Sequence, residues 1–271
     1  MESNGEFMAS DKKLALFEQV GKVGIIRLNN PDTLNAVSPE MCEQIDAALD
    51  QCVASCRAMV LTSVGRAFSS GANLSSEEGV FGNTSEVDVG ATLETHVNPL
   101  MRRLVKFEIP WISAVRGAAA GVGCSLALAG DMIVASETAY FFLAFSRVGL
   151  VPDGGSPWML TRTIGRPRAM ELMFMGEKLS ATTAMEWGLI NKIVPDDQLD
   201  QAAIAIATRL ASGPTKSYRL IRQLCWNALN HDLDASLNAE RIAQRDASRT
   251  EDAREGVRAF LEKRAAEFTG K

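Results

Sequence analysis

Asp153 lies in Val148-Gly-Leu-Val-Pro152-Asp153-Gly154-Gly155, a turn built from glycine and proline. Around it in sequence stand Phe141, Phe142, Phe145, Val148, Leu150, Val151 and Trp158. A single carboxylate in such a turn has two readings. It can cap a helix or close an Asx-turn, and the turn by itself favours this role. Alternatively, apolar surroundings desolvate it and raise its affinity for a proton. It can then take a proton from a substrate and return it.

Two further segments offer backbone groups rather than side chains. Gly121-Val122-Gly123 opens a run of small residues after a strand. The N-terminus of a helix exposes unpaired N–H groups and the positive end of the dipole. Small residues there let a ligand carbonyl approach, which is half of an oxyanion hole. The same glycines would serve close helix packing, and both readings stand. Phe68-Ser-Ser-Gly71-Ala72-Asn73 follows the strand Ala58–Thr62, at the end of a strand where parallel sheets bind ligands. An ordinary turn explains it as simply.

Other chemistry fits poorly. As a dinucleotide fingerprint, Gly121-Val-Gly123 lacks its third glycine, since position 126 is Leu126. As a nucleophile elbow around Ser125, it has Ala127 where glycine belongs and only His231 downstream as a partner. The two histidines, His96 and His231, are too few for an all-histidine metal site, and no metal is expected. His96 reads as a surface or helix–helix residue rather than a catalyst, and His231 as a residue at a helix start. Lys263 and Arg264 read as a solvated helix face. With 28 basic and 33 acidic residues the net charge is -5, without the basic footprint of a nucleic-acid binder. Five cysteines, an odd number with no C-x-x-C pair, imply free thiols in a reducing compartment. No apolar run reaches about 18 residues and no signal segment opens the chain, so a cytoplasmic protein without a membrane partner is expected.

The elements that must position these groups alternate. Leu14–Gln19 and Val23–Leu28 read as a hairpin, and Ser38-Pro39-Glu40 starts a helix with serine as cap and proline at the first helical position. Strands follow at Ala58–Thr62, Trp111–Val115 and Met132–Ala135, with helices at Thr92–Lys106 and Gly121–Ala129. The stretch Ser75–Ala91 is polar and aperiodic and reads as a mobile surface segment. From Thr161 onward the pattern is nearly all helical. The fold class is therefore α/β with a parallel sheet. An α/β core spans 12–200, and a C-terminal helical part that could pack on another subunit spans 201–271.

Taken together, these segments resemble the crotonase (enoyl-CoA hydratase/isomerase) superfamily. Five ordered motifs carry the resemblance: Leu28-Asn-Asn-Pro-Asp-Thr-Leu-Asn-Ala36, Gly65-Arg-Ala-Phe-Ser-Ser-Gly-Ala-Asn-Leu74, Ala118 to Asp131, Trp187-Gly-Leu-Ile-Asn-Lys-Ile-Val194 and Phe260-Leu-Glu-Lys-Arg264 with Phe268. The resemblance implies a spiral of β-β-α units with a C-terminal helical trimerisation region, assembled as a trimer or a hexamer. It implies an acyl-CoA thioester as substrate, with coenzyme A part of that substrate and no separate cofactor. The thioester oxygen would accept from the N–H groups of Ala72 and Val122. Ala36, Arg66, Ser70 and Leu74 would lie along coenzyme A, Phe145 would help wall the acyl pocket, and Lys263 of a neighbouring subunit would reach a phosphate.

Departures from the family pattern point to the reaction. The two glutamates of the hydratases fall on Ser125 and Phe145. The Pro152-Asp153-Gly154-Gly155 stretch resembles the single-Asp isomerase branch, which includes Δ3,Δ2-enoyl-CoA isomerases and a ring-epoxyphenylacetyl-CoA isomerase. The expectation is an isomerase with Asp153 as acid and base. Hydratase (lyase) activity, a nucleophilic role for Asp153, a silent acyl-CoA binder and a hydrolase at Ser125 remain as alternatives.

Overall fold

The computed structural model describes residues 12–73 and 88–271. Most of the segment 75–91, expected as a mobile surface stretch, lies outside the described residues. β1 (Ala15–Val20) and β2 (Val23–Leu28) form the expected antiparallel hairpin. α1 (Pro39–Ser55) begins where the serine-proline signal places it, with Ser38 Oγ accepting from the Met41 N–H at 3.2 Å. β3 (Ala58–Ser63) follows. Next comes a helical stretch made of α2 (Val89–Thr92), a π-helical turn over Leu93–Val97 and α3 (Asn98–Val105). β4 (Trp111–Val115), β5 (Ala118–Ala120), α4 (Val122–Leu128), β6 (Met132–Ser136) and β7 (Tyr140–Phe142) continue the alternation. Then come α5 (Ser156–Thr163), α6 (Arg166–Met175), β8 (Lys178–Ser180), α7 (Ala181–Glu186) and β9 (Lys192–Val194). Four long helices close the chain: α8 (Leu199–Ala211), α9 (Thr215–Ala228), α10 (Leu233–Ser248) and α11 (Glu251–Glu262).

A six-stranded sheet runs in the order β1-β2-β3-β4-β6-β9 and is parallel from β2 onward. A second sheet, β5-β7-β8, stands beside it. Every residue of β3 and β4 is buried, as a parallel sheet covered on both faces requires. Ile26, Leu28, Met59, Leu61 and Trp111 belong to a core shared with Ile45 and Leu49 of α1. The other core joins Val23, Ile25, Val60, Ile112 and Val134 to Leu199, Ala203, Ala207 and Ala211 of α8. That i, i+4 stripe lays α8 on the sheet.

The alternation and the helical C-terminal region agree with the α/β expectation. The region after Thr161 is less uniformly helical than its pattern suggests, because β8 and β9 interrupt it, and β5 and β7 add two strands without a strand pattern of their own. Each of these strands has three residues. That is too short for a period-two pattern to register.

Candidate active site

The two glycine-bearing segments meet through backbone pairing. Ser69 bridges Ala119, with the Ser69 N–H donating to Ala118 O and the Ala120 N–H donating to Ser69 O, each at 2.9 Å. Ala72 bridges Val37 in parallel, with the Val37 N–H on Gly71 O and the Asn73 N–H on Val37 O. These bonds satisfy the neighbours of Ala72 and leave its own N–H without an acceptor among the described residues. Val122 opens α4, and its N–H is likewise unpaired there, whereas those of Cys124 and Ser125 both reach Gly121 O. Packing and donor roles turn out to be compatible. A Cβ on Gly123 would stand 2.4 Å from Ser69 Cβ, so its absence lets α4 lie directly on the 68–71 segment.

Both free N–H groups belong to residues lining one cavity of about 420 Å³. Of the residues singled out in the sequence, Asp153, Ala72, Val122, Ala36, Ser70 and Phe145 line this cavity. Arg66 and Lys263 are exposed and lie outside its lining. Leu74 lies outside the described residues.

Asp153 departs from the capping role its turn favours. The cap position of α5 is Gly155, and no side chain caps that helix. The carboxylate atom Oδ1 of Asp153 is buried without a hydrogen-bond partner among the described residues. Burial pushes its pKa from 3.8 to about 6. The carboxylate keeps a hydrogen bond to its own residue's main chain, and the main-chain oxygen of Asp153 is engaged by neighbouring elements. That oxygen accepts from Ser125 Oγ at 2.8 Å, Ser156 Oγ at 2.9 Å and the Ser156 N–H at 3.1 Å. A desolvated carboxylate beside two unpaired backbone donors can move a proton while an oxyanion forms nearby.

Neither Phe145 nor Ser125 supplies a second carboxylate to Asp153. Phe145 presents its ring to the start of α4, with Cζ 3.6 Å from where a Cβ on Gly121 would lie. Ser125 is buried, is absent from the cavity lining and commits its hydroxyl to Asp153 O. His231, its only downstream histidine, is exposed between α9 and α10. The hydrolase arrangement at Ser125 is therefore not formed. Burial also pushes the thiols of Cys42, Cys52 and Cys124 up to about 12, so they are poor nucleophiles.

His96 takes the helix–helix placement, facing Glu43 of α1. It is half-buried in the cavity wall, with Nδ1 2.8 Å from Thr95 Oγ1 and Nε2 3.8 Å from Glu43 Oε1. It lies in the π-helical turn, which rotates the following residues away from the faces that a regular period assigns. Asn30 and Glu40 also line the cavity and were not singled out in the sequence. Among the described residues, no group of three or more His, Cys, Asp or Glu could hold a metal ion, and no helix is long and apolar enough to cross a membrane.

Comparison with known proteins places the chain among relatives over nearly its whole length. Residues 18–271 match the family described as Enoyl-CoA hydratase/isomerase. The chain is 44% identical to the 1,2-epoxyphenylacetyl-CoA isomerase of Escherichia coli, over 91% of this chain and 94% of that protein. It is 37% identical to a protein of Rhodobacter capsulatus named "Probable enoyl-CoA hydratase", over 92% of this chain and 95% of that protein. The crystal structure of enoyl-CoA hydratase from Bacillus anthracis superposes with a TM-score of 0.88 at 31% identity, covering 95% of this chain and all of that one.

Proposed function

Since the chain belongs to the enoyl-CoA hydratase/isomerase family, we propose that it is an acyl-CoA isomerase that moves a carbon–carbon double bond in an enoyl-CoA thioester. The observation that carries this reading is the buried Oδ1 of Asp153 in a cavity that also offers the Ala72 and Val122 N–H groups. In a 3-enoyl-CoA, the Asp153 carboxylate removes a proton from C2. The electron pair moves through the carbonyl carbon onto the thioester oxygen, giving a dienolate. The two N–H groups hold that oxygen, and each such donor contributes about 2.7–4 kcal/mol in the transition state. The Asp153 carboxylic acid then returns the proton at C4 and the electrons settle as a C2–C3 double bond. One carboxylate suffices, because no atom is added or lost.

Coenzyme A would run along Ala36 and Ser70 on the cavity wall and onward past Leu74, with Arg66 and a neighbouring subunit's Lys263 as phosphate contacts. The assembly would be a homotrimer or hexamer in the cytoplasm. Exposed apolar side chains on the last two helices, Leu233, Phe260 and Leu261, support an assembly that covers them.

Hydration is the second reading, favoured by the names of several relatives. Against it, Phe145 and Ser125 supply no acid to activate water. Product analysis by NMR with 3-hexenoyl-CoA and 2-hexenoyl-CoA in deuterated buffer separates the two. Isomerisation gives double-bond migration without hydroxyacyl product. Accumulation of a 3-hydroxyacyl-CoA as the main product contradicts the proposal.

A further inference from the structure

We propose that Ser125 and Ser156 are positioning residues, which aim the Asp153 carboxylate into the cavity by holding its main-chain carbonyl oxygen. The inference rests on the reading of Asp153 as the acid and base. It starts from a contrast within one residue. The side chain of Asp153 leaves Oδ1 with no partner, and the hydrogen bond that its carboxylate does have is to its own residue's main chain, so neither ties it to another element. The carbonyl oxygen of the same residue collects three donors, two of them serine hydroxyls on fully buried residues.

Placement gives these bonds their meaning. Ser125 lies one turn along α4 from Val122, the residue that opens the helix with an unpaired N–H. A single short helix thus carries an oxyanion donor and the group that grips the base. Ser156 is the first residue of α5 and grips the same oxygen from the other side. Gly154 makes the approach possible. Its φ is +57°, and a Cβ there would stand 2.8 Å from Ser125 Cβ. Any side chain at 154 would push the loop off α4. The distance from base to oxyanion donor is therefore set by two hydroxyls on a packed helix pair, not by the carboxylate's own contacts. A misplacement of about 1 Å at a reacting group can cost on the order of 100-fold in rate.

The test uses Ser125→Ala, Ser156→Ala and the double variant, with 3-hexenoyl-CoA as substrate. Each single variant should lose about 10-fold in kcat and the double variant about 100-fold, with KM changed by less than about 2-fold. Ser156→Thr keeps a hydroxyl at the first turn of α5 and should restore most of the rate. Affinity for hexanoyl-CoA, which has no double bond to move, should stay at the level of the parent in all four variants. A role confined to stability would lower hexanoyl-CoA affinity along with kcat, or leave kcat untouched in the folded fraction, and either result overturns the proposal. Asp153→Asn, assayed alongside, separates two failures. An inactive Asp153→Asn beside a fully active double variant overturns the positioning role alone. An active Asp153→Asn overturns the assignment of the base on which it rests.

Discussion

Arg222 on α9 closes its guanidinium on both carboxylate oxygens of Asp131, at the entry to β6. The same guanidinium donates to the main-chain oxygens of Phe107 and Ile109, and Asp131 Oδ2 also accepts from the Trp111 N–H at 2.8 Å. One side chain thereby ties a C-terminal helix to the beginnings of two neighbouring strands. Arg222→Met would leave a carboxylate and two carbonyls without this partner, and it should lower unfolding stability by about 2–4 kcal/mol in urea titrations. A loss below about 1 kcal/mol would show that the tie is dispensable.

With Asp153 as the proposed base, its pKa gives a prediction for the pH dependence. A base must be ionised to accept a proton, and burial places this pKa at about 6. The profile of kcat/KM should therefore rise with pH through about 6 and then level off. The same rise should persist in His96→Gln, which removes the imidazole in the cavity wall. If the rise disappears in that variant, the assignment of the pH dependence to Asp153 is contradicted.

The same burial has a stability consequence of opposite sense. The folded pKa of Asp153 lies above its ordinary 3.8, so the native state binds this proton more tightly than the unfolded chain. Its contribution to stability is full below about pH 4 and is lost as pH rises through about 6. Above that range the buried charge is a standing cost. Asp153→Asn should accordingly exceed the parent in stability by about 1–3 kcal/mol at pH 8, and the difference should shrink toward zero below pH 4. Denaturant titrations at the two pH values check this, and an equal difference at both contradicts it.

Much of this was legible in the residues. Ser38-Pro39 marks the start of α1, and the spacing of Leu199, Ala203 and Ala207 predicts a helix there. The apolar neighbourhood of Asp153 announced its desolvation, although the glycine-proline turn favoured a capping role. What escaped the sequence depends on contacts between distant segments. The unpaired state of the Ala72 N–H follows from the bridge to Val37, which no local pattern encodes. His96 entered the cavity wall through a π-helical turn, which the 3.6-residue period cannot anticipate. Three-residue strands such as β5 form because Ser69 and β7 flank them, not because their own residues demand it.

The exposed apolar residues of the last helices give a prediction about assembly. Phe260 is 81% exposed and Leu261 is 73% exposed in the single chain. Replacing both by aspartate should shift the mass seen by light scattering from that of a trimer or hexamer toward that of a monomer. A parent protein that already runs as a monomer contradicts the proposed assembly.

The central claim is that one carboxylate and two backbone N–H groups perform the reaction, and Asp153→Asn tests it most directly. The amide keeps the shape of the side chain but cannot serve as a base. With 3-hexenoyl-CoA, kcat should fall by about 1,000-fold or more while hexanoyl-CoA binds as it does to the parent. An Asp153→Asn enzyme that moves the double bond at the parental rate would contradict the account.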